Sequence, residues 1–149
     1  TGERKRVSRL LLVEDGEVNQ LLYAEQLRQR GFDVAVCSSA EDAREALQQH
    51  PADLVLTDIH LPGVDGQQLA AVLRERDPQL AVVAFTAEDD PGRCAAWAGD
   101  FSMVLGKPAR IDDTRWIDAL CERYAPEVRP AATAAAMNDV CGDLRVSGT

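Results

Sequence analysis

Four short apolar runs in this chain each stop at a residue able to handle phosphate. Leu10-Leu11-Leu12-Val13 runs into Glu14-Asp15, and Leu54-Val55-Leu56-Thr57 runs into Asp58. Leu80 to Phe85 runs into Thr86, and Met103-Val104-Leu105-Gly106 runs into Lys107-Pro108. In an open parallel α/β sheet, ligands bind just beyond the carboxyl ends of the strands. An acidic pair, a lone aspartate, a hydroxyl and a lysine would then meet at one sheet edge. That set suits magnesium-assisted phosphoryl transfer onto a carboxylate. Crowded carboxylates repel one another and need a cation, and Mg2+ takes oxygen ligands and bridges to substrate phosphate. Taken singly, each residue has a plainer reading. Asp58 is then a loop carboxylate or helix cap, Glu14-Asp15 a solvated pair, Thr86 a β-branched strand residue and Lys107 a surface lysine.

The elements that must position these residues alternate strand and helix. Glu17 to Arg30 reads as helix, closed by Gly31 at C′. Phe32 to Cys37 is a second strand, and Ser38-Ser39-Ala40-Glu41 is a capping-box match opening a helix to about His50. A turn-forming loop, Leu61 to Gly66, precedes a third helix from Gln67 to Arg76. Asp90-Pro91 looks like the start of a short, weak helix closed by Gly99, and Ile111 to Tyr124 is the last helix. This alternation predicts parallel strands, right-handed crossovers and helices on both faces. Residues 1–8 read as a leader, 9–124 as one domain, and 125–149, with Pro126, Pro130 and an alanine-rich stretch, as linker or disordered tail.

Bulk composition narrows the function. A chain of 149 residues carries one domain with a real core. A net charge of −9 disfavours a nucleic-acid backbone as partner. No apolar stretch approaches the roughly 20 residues of a membrane span, so no membrane contact is expected of this domain. The four cysteines are scattered with no C-x-x-C, which argues against zinc and for reduced thiols in the cytoplasm, with Cys37 and Cys121 as small core residues.

Together, Leu12-Val13-Glu14-Asp15, Thr57 to Gly66, Phe85-Thr86-Ala87 and Lys107-Pro108 resemble the receiver domain of response regulators in two-component signalling. The resemblance covers about Arg9 to Tyr124. It implies a doubly wound five-stranded parallel sheet of flavodoxin-like order 2-1-3-4-5. The second strand then falls at the sheet edge, and it is the one that ends, at Cys37-Ser38, without a candidate ligand. By the same resemblance Asp58 is the phosphoacceptor, Lys107 pairs with the phosphoryl oxygens, and Thr86 binds the phosphoryl group once formed. Mg2+ is held by Asp15, Asp58 and the backbone carbonyl of Ile59, with Glu14 acting mostly through water. His60 and Glu88 line the path of attacking water, and Pro108 follows a cis peptide bond.

One position departs from the family: Val104 stands where an aromatic switch residue is usual. Phosphorylation is therefore expected to be felt on the loops around Asp58 and Thr86 more than on the face made by the fourth helix, fifth strand and last helix. Val18-Asn19-Gln20 makes the chain most like receivers of hybrid sensor histidine kinases. The implied donor is a phosphohistidine on a kinase or phosphotransfer domain, and the implied domain is monomeric. Such a domain catalyses its own phosphotransfer and autodephosphorylation. A stand-alone response regulator is the near alternative. An aspartyl-phosphate hydrolase of haloacid dehalogenase type is a distant one, because it needs a second aspartate where this chain has His60. On the first helix, Leu21, Ala24 and Leu27 share one side, leaving Leu22 and Tyr23 as candidates for docking, with Trp97 and Trp116 open to the same reading.

Overall fold

A computed structural model describes residues 4–61, 63, 66–87 and 99–127. The strands are β1 (Lys5–Val7), β2 (Leu10–Val13), β3 (Val34–Cys37), β4 (Leu54–Thr57), β5 (Ala81–Thr86), β6 (Met103–Gly106) and β7 (Tyr124–Pro126). The described helices are α1 (Glu17–Gln29), α2 (Ala40–Gln49), α3 (Gly66–Arg76) and α4 (Arg115–Arg123). Five strands form one parallel sheet in the order β3-β2-β4-β5-β6. This is the expected 2-1-3-4-5 order of the core.

Burial follows the strand period of two. Leu10, Leu12, Leu54, Leu56, Val83 and Phe85 pack with α1 and α4 on one face, and Leu11, Val13, Val55, Val82 and Ala84 pack with α2 and α3 on the other. Strands covered on both faces read as continuous apolar runs, which is why these were visible in the sequence. Gly31, at φ 102°, closes α1: its N–H donates to the Arg28 carbonyl at 2.9 Å and Phe32 N–H to the Leu27 carbonyl at 3.2 Å. That is a Schellman stop, and the left-handed conformation favours glycine there. The cap of α2 is Ser39, one residue beyond the Ser38 of the sequence match; its Oγ accepts the Asp42 N–H at 3.1 Å.

The last helix begins at Arg115, four residues later than the expected Ile111. Asp113 Oδ1 accepts the Arg115 N–H at 3.1 Å, and Asp113 N–H donates to the Arg110 carbonyl at 3.1 Å. Side-chain bonding of this kind competes with the helix and holds the segment in turns. The expected short helix beginning at Asp90-Pro91 lies outside the described residues.

The structure adds a strand pair that the sequence reading did not contain. β1 lies parallel to β7, with Lys5 opposite Tyr124 and Val7 opposite Pro126. Side chains secure it: the Arg4 guanidinium donates to the Cys121 carbonyl at 2.8 Å and Ser8 Oγ to Glu127 at 2.6 Å. Ser8 N–H also donates to the Asp53 carboxylate at 2.6 Å, tying the pair to the start of β4. Only Val7 and Tyr124 in these segments are large, buried and apolar, too little to give a periodic signal.

Cys37 is half-buried, and desolvation, helped by the Asp42 charge, pushes its thiol above the usual value. The thiolate is the nucleophile. Alkylation of Cys37 by iodoacetamide at pH 8 is therefore expected to be slower in the folded protein than in urea. Equal rates, followed by peptide mass, would contradict the burial.

Candidate functional site

Register brings the candidate residues to one edge. Val13 is level with Thr57, and Thr57 with Ala84, while Thr86 is level with Gly106. Backbone pairing continues one residue past the strands. Asp58 N–H donates to the Val13 carbonyl at 3.0 Å, and Lys107 N–H to the Thr86 carbonyl at 2.7 Å. Glu14, Asp58, Thr86 and Lys107 are thus held by ladder hydrogen bonds rather than by free loops.

Carboxylate oxygens of Glu14, Asp15 and Asp58 all lie within 4.8 Å of one another. Glu14 is buried at 2% exposure and Asp58 is buried beside it, while Asp15 is exposed. The Lys107 ammonium donates to Glu14 Oε1 at 2.7 Å and to Asp58 Oδ2 at 2.8 Å. Burial pulls the Lys107 pKa down, but its hydrogen bonds to Asp58 and Glu14 and their negative charges outweigh it, and the net shift is upward. The lysine is held as a cation. Its one charge against three carboxylates leaves two negative charges, the complement of a divalent ion. The residues therefore fit a metal site.

The phosphoacceptor candidate is ordered from several sides. Asp58 Oδ1 accepts the His60 N–H at 3.1 Å, and the Asp58 carbonyl accepts the Thr57 hydroxyl at 2.9 Å. His60 is exposed, and Thr86 is buried at the end of β5. The Ile59 carbonyl accepts the Gly66 N–H at 2.9 Å, which engages one of its two lone pairs and fastens the loop to α3. Glu88 lies outside the described residues. The resemblance implied a cis bond before Pro108, but the Lys107–Pro108 bond is trans: among the described residues no peptide bond is cis. The trans form is the more stable even before proline, by about 0.5–1 kcal/mol.

A family model for the response regulator receiver domain matches residues 10–117. This chain belongs to that family. The sensor histidine kinase RcsC of Salmonella typhi is 31% identical over 123 residues, covering 80% of this chain but 12% of the kinase. The transcriptional regulatory protein AfsQ1 of Streptomyces coelicolor is 32% identical over 104 residues, covering 70% of this chain and 42% of the regulator. The receiver thus spans about an eighth of one relative and under half of the other. Among solved structures, the response regulator TrrA of Thermotoga maritima, in complex with Mg2+ and BeF, superposes with a TM-score of 0.66 at 22% identity, covering 76% of this chain and 97% of that one. That likeness carries the fold. Among the described residues no helix is long and apolar enough to cross a membrane.

Three features of the site escaped the sequence. Gln20, on α1, donates through Nε2 to the Glu14 carbonyl at 2.5 Å and to Ser38 Oγ at 3.0 Å, linking the ends of β2 and β3. Its place one turn into the helix after the acidic pair is a usable signal. Gly66 sits against Asp58: a Cβ there would meet the Asp58 carbonyl oxygen at 2.2 Å. Third, Tyr23, Phe85 and Trp116 form an aromatic cluster behind Lys107, with Phe85 4.8 Å from each of the other two rings. Tyr23 faces inward, against the expectation that it lay off the buried side, while Leu21 at 74% and Val18 at 68% face out. Trp116 is buried, not a surface residue, and Trp97 lies outside the described residues. Burial raises the Tyr23 pKa; Lys107 opposes the shift, and Glu14 and Asp58 add to it, so the ring senses the site's charge.

Proposed function

We propose that this receiver accepts a phosphoryl group from a phosphohistidine onto Asp58, as one station of a phosphorelay in a hybrid sensor histidine kinase. The supporting observation is the Lys107 ammonium bonded to both Glu14 and Asp58 beside an exposed Asp15. An Asp58 oxygen attacks phosphorus, and the P–N bond to imidazole breaks. The imidazole nitrogen keeps the bonding electrons, and the product is an acyl phosphate. Lys107 pairs with the phosphoryl oxygens and stabilises charge that builds during transfer. Thr86 offers its hydroxyl to the phosphoryl group once transfer is complete. Asp15, Asp58 and the remaining lone pair of the Ile59 carbonyl would hold Mg2+, with Glu14 behind them. The ion, when bound, supplies charge neutralisation across acceptor and phosphoryl oxygens. His60, exposed two residues after Asp58, and Glu88 would set how readily water reaches the acyl phosphate.

The kinase relative and the histidine donor favour a partner that presents a helix, and the receiver offers one apolar side of α1. Val18 and Leu21 are exposed there, and the Ile111 carbonyl accepts from Gln26 of α1 at 2.9 Å, which places exposed Ile111 in the loop alongside. Exposed apolar clusters of this kind mark interfaces. This reading places the receiver in the cytoplasm, where the kinase's phosphohistidine forms. The regulator AfsQ1 supports a second reading, a receiver that is part of a response regulator rather than a kinase.

Incubation with a small phosphodonor and Mg2+ should add one base-labile phosphate, seen in the intact mass. Turnover of a generic phosphate ester without a stable adduct would favour a hydrolase instead. Asp15→Asn removes a ligand charge and should weaken Mg2+ binding by at least about 10-fold, the lower end of the cost of losing even an outer-shell partner. Calorimetry checks it, and equal affinity in mutant and parent would count against the site.

A further inference from the structure

Val104 at the family's aromatic switch position led to the expectation of little change on the face of the fifth core strand and last helix, but the structure places a different aromatic group on that helix, and it argues the other way. Trp116 of α4 packs against Phe85 at 4.8 Å and Tyr23 at 5.6 Å. The Lys107 ammonium stands 5.9 Å above the Phe85 ring. Trp116 is only 4% exposed, and among the described residues its indole N–H has no acceptor. A buried donor left unpaired is unusual and asks for an explanation. Beside it runs a groove of about 510 Å3, lined by Val104, Gly106, Asp113, Arg115, Trp116 and Ala119. Gly106, which has no side chain, and the small side chain of Ala119, which packs on the same face as Trp116, leave that space open.

We propose that Trp116 reads the state of Asp58 in this receiver, its indole leaving the Phe85–Tyr23 stack for the groove when Asp58 is phosphorylated. The inference rests on the phosphoacceptor reading above. Phosphorylation adds negative charge at Asp58 and draws Lys107 from Glu14 and its place over Phe85 toward the phosphoryl oxygens. Thr86, adjacent to Phe85 and bonded through its carbonyl to Lys107 N–H at 2.7 Å, is drawn the same way. The seat of Trp116 changes on both counts. In the groove the indole N–H gains an acceptor, with Asp113 on the wall. Two arrangements with different contacts are what a switch requires. The moving element is also connected: α4 passes at Tyr124 straight into β7, which pairs with β1.

A Trp97→Phe chain makes Trp116 its only tryptophan. Beryllofluoride and Mg2+ are added, and occupancy of Asp58 is read by fluorine NMR. Expected are a shift of Trp116 emission to longer wavelength and greater acrylamide quenching. Ala119→Phe in the same chain puts a ring into the groove on the Trp116 face and should remove the shift while leaving occupancy unchanged. If the substituted chains do not fold, the indole N–H cross-peak of Trp116 in the parent protein, shifted by beryllofluoride, serves instead. Occupancy at Asp58 with unchanged emission and an unmoved cross-peak overturns the Trp116 proposal alone. A persistent shift in Ala119→Phe also overturns it. No occupancy at all overturns the phosphoacceptor reading, and this inference with it.

Discussion

Asp58→Asn leaves the receiver without phosphate after exposure to a small phosphodonor and Mg2+, while the parent gains one. The amide offers no anionic oxygen to attack phosphorus, and no other candidate nucleophile in the cluster is placed as Asp58 is. Both of its carboxylate oxygens are engaged, Oδ1 by His60 N–H and Oδ2 by Lys107. Such contacts orient the reacting group and leave it little freedom. Lys107 keeps Glu14 at 2.7 Å in the mutant, so the fold should survive. Intact mass and circular dichroism together decide the matter: full labelling of a folded Asp58→Asn would sink the assignment.

Gly66→Ala is expected to damage both stability and chemistry. A Cβ at this position would lie 2.2 Å from the Asp58 carbonyl oxygen and 2.9 Å from the Ile59 Cα. Both neighbours are backbone, so no side chain can swing aside. Relief requires α3 or the Asp58–Ile59 loop to shift. Forced overpacking typically costs roughly 1–3 kcal/mol. A displacement of about 1 Å at the reacting group can cost about 100-fold in rate. A lower urea midpoint and slower labelling are the expected pair of results; parent-like values for both would refute the contact.

Most of the site was legible because Glu14, Asp15, Asp58 and Thr86 stand at the ends of strands buried on both faces, and Lys107 at the end of a partly buried edge strand that is still apolar in sequence. Leu10–Val13, Leu54–Thr57 and Ala81–Thr86 are apolar runs with no alternation, and the residue type changes where the strand meets the ligand edge. The order of the core strands followed from family resemblance rather than from the runs themselves. Other features depend on contacts distant in sequence. Nothing in α1 alone says that Tyr23 turns inward and Leu21 outward; the Phe85 and Trp116 rings settle it. The start of α4 was misplaced because Ile111 looked like part of the apolar stripe, whereas Asp112 and Asp113 hold turns there. β1 and β7 are three residues each, and a strand that short is visible only beside its partner.

That strand pair gives the receiver a mechanical character. β1 and β7 run in the same direction, and the chain approaches through Lys5 at one end of the pair and departs through Pro126 at the other. Tension between the two flanks therefore pulls the strands past each other along their length. Every bond of the short ladder, and the Ser8–Glu127 link, is loaded at once rather than peeled open in turn. A pull from the flanks would have to shear this clasp before it reached the sheet that carries Asp58.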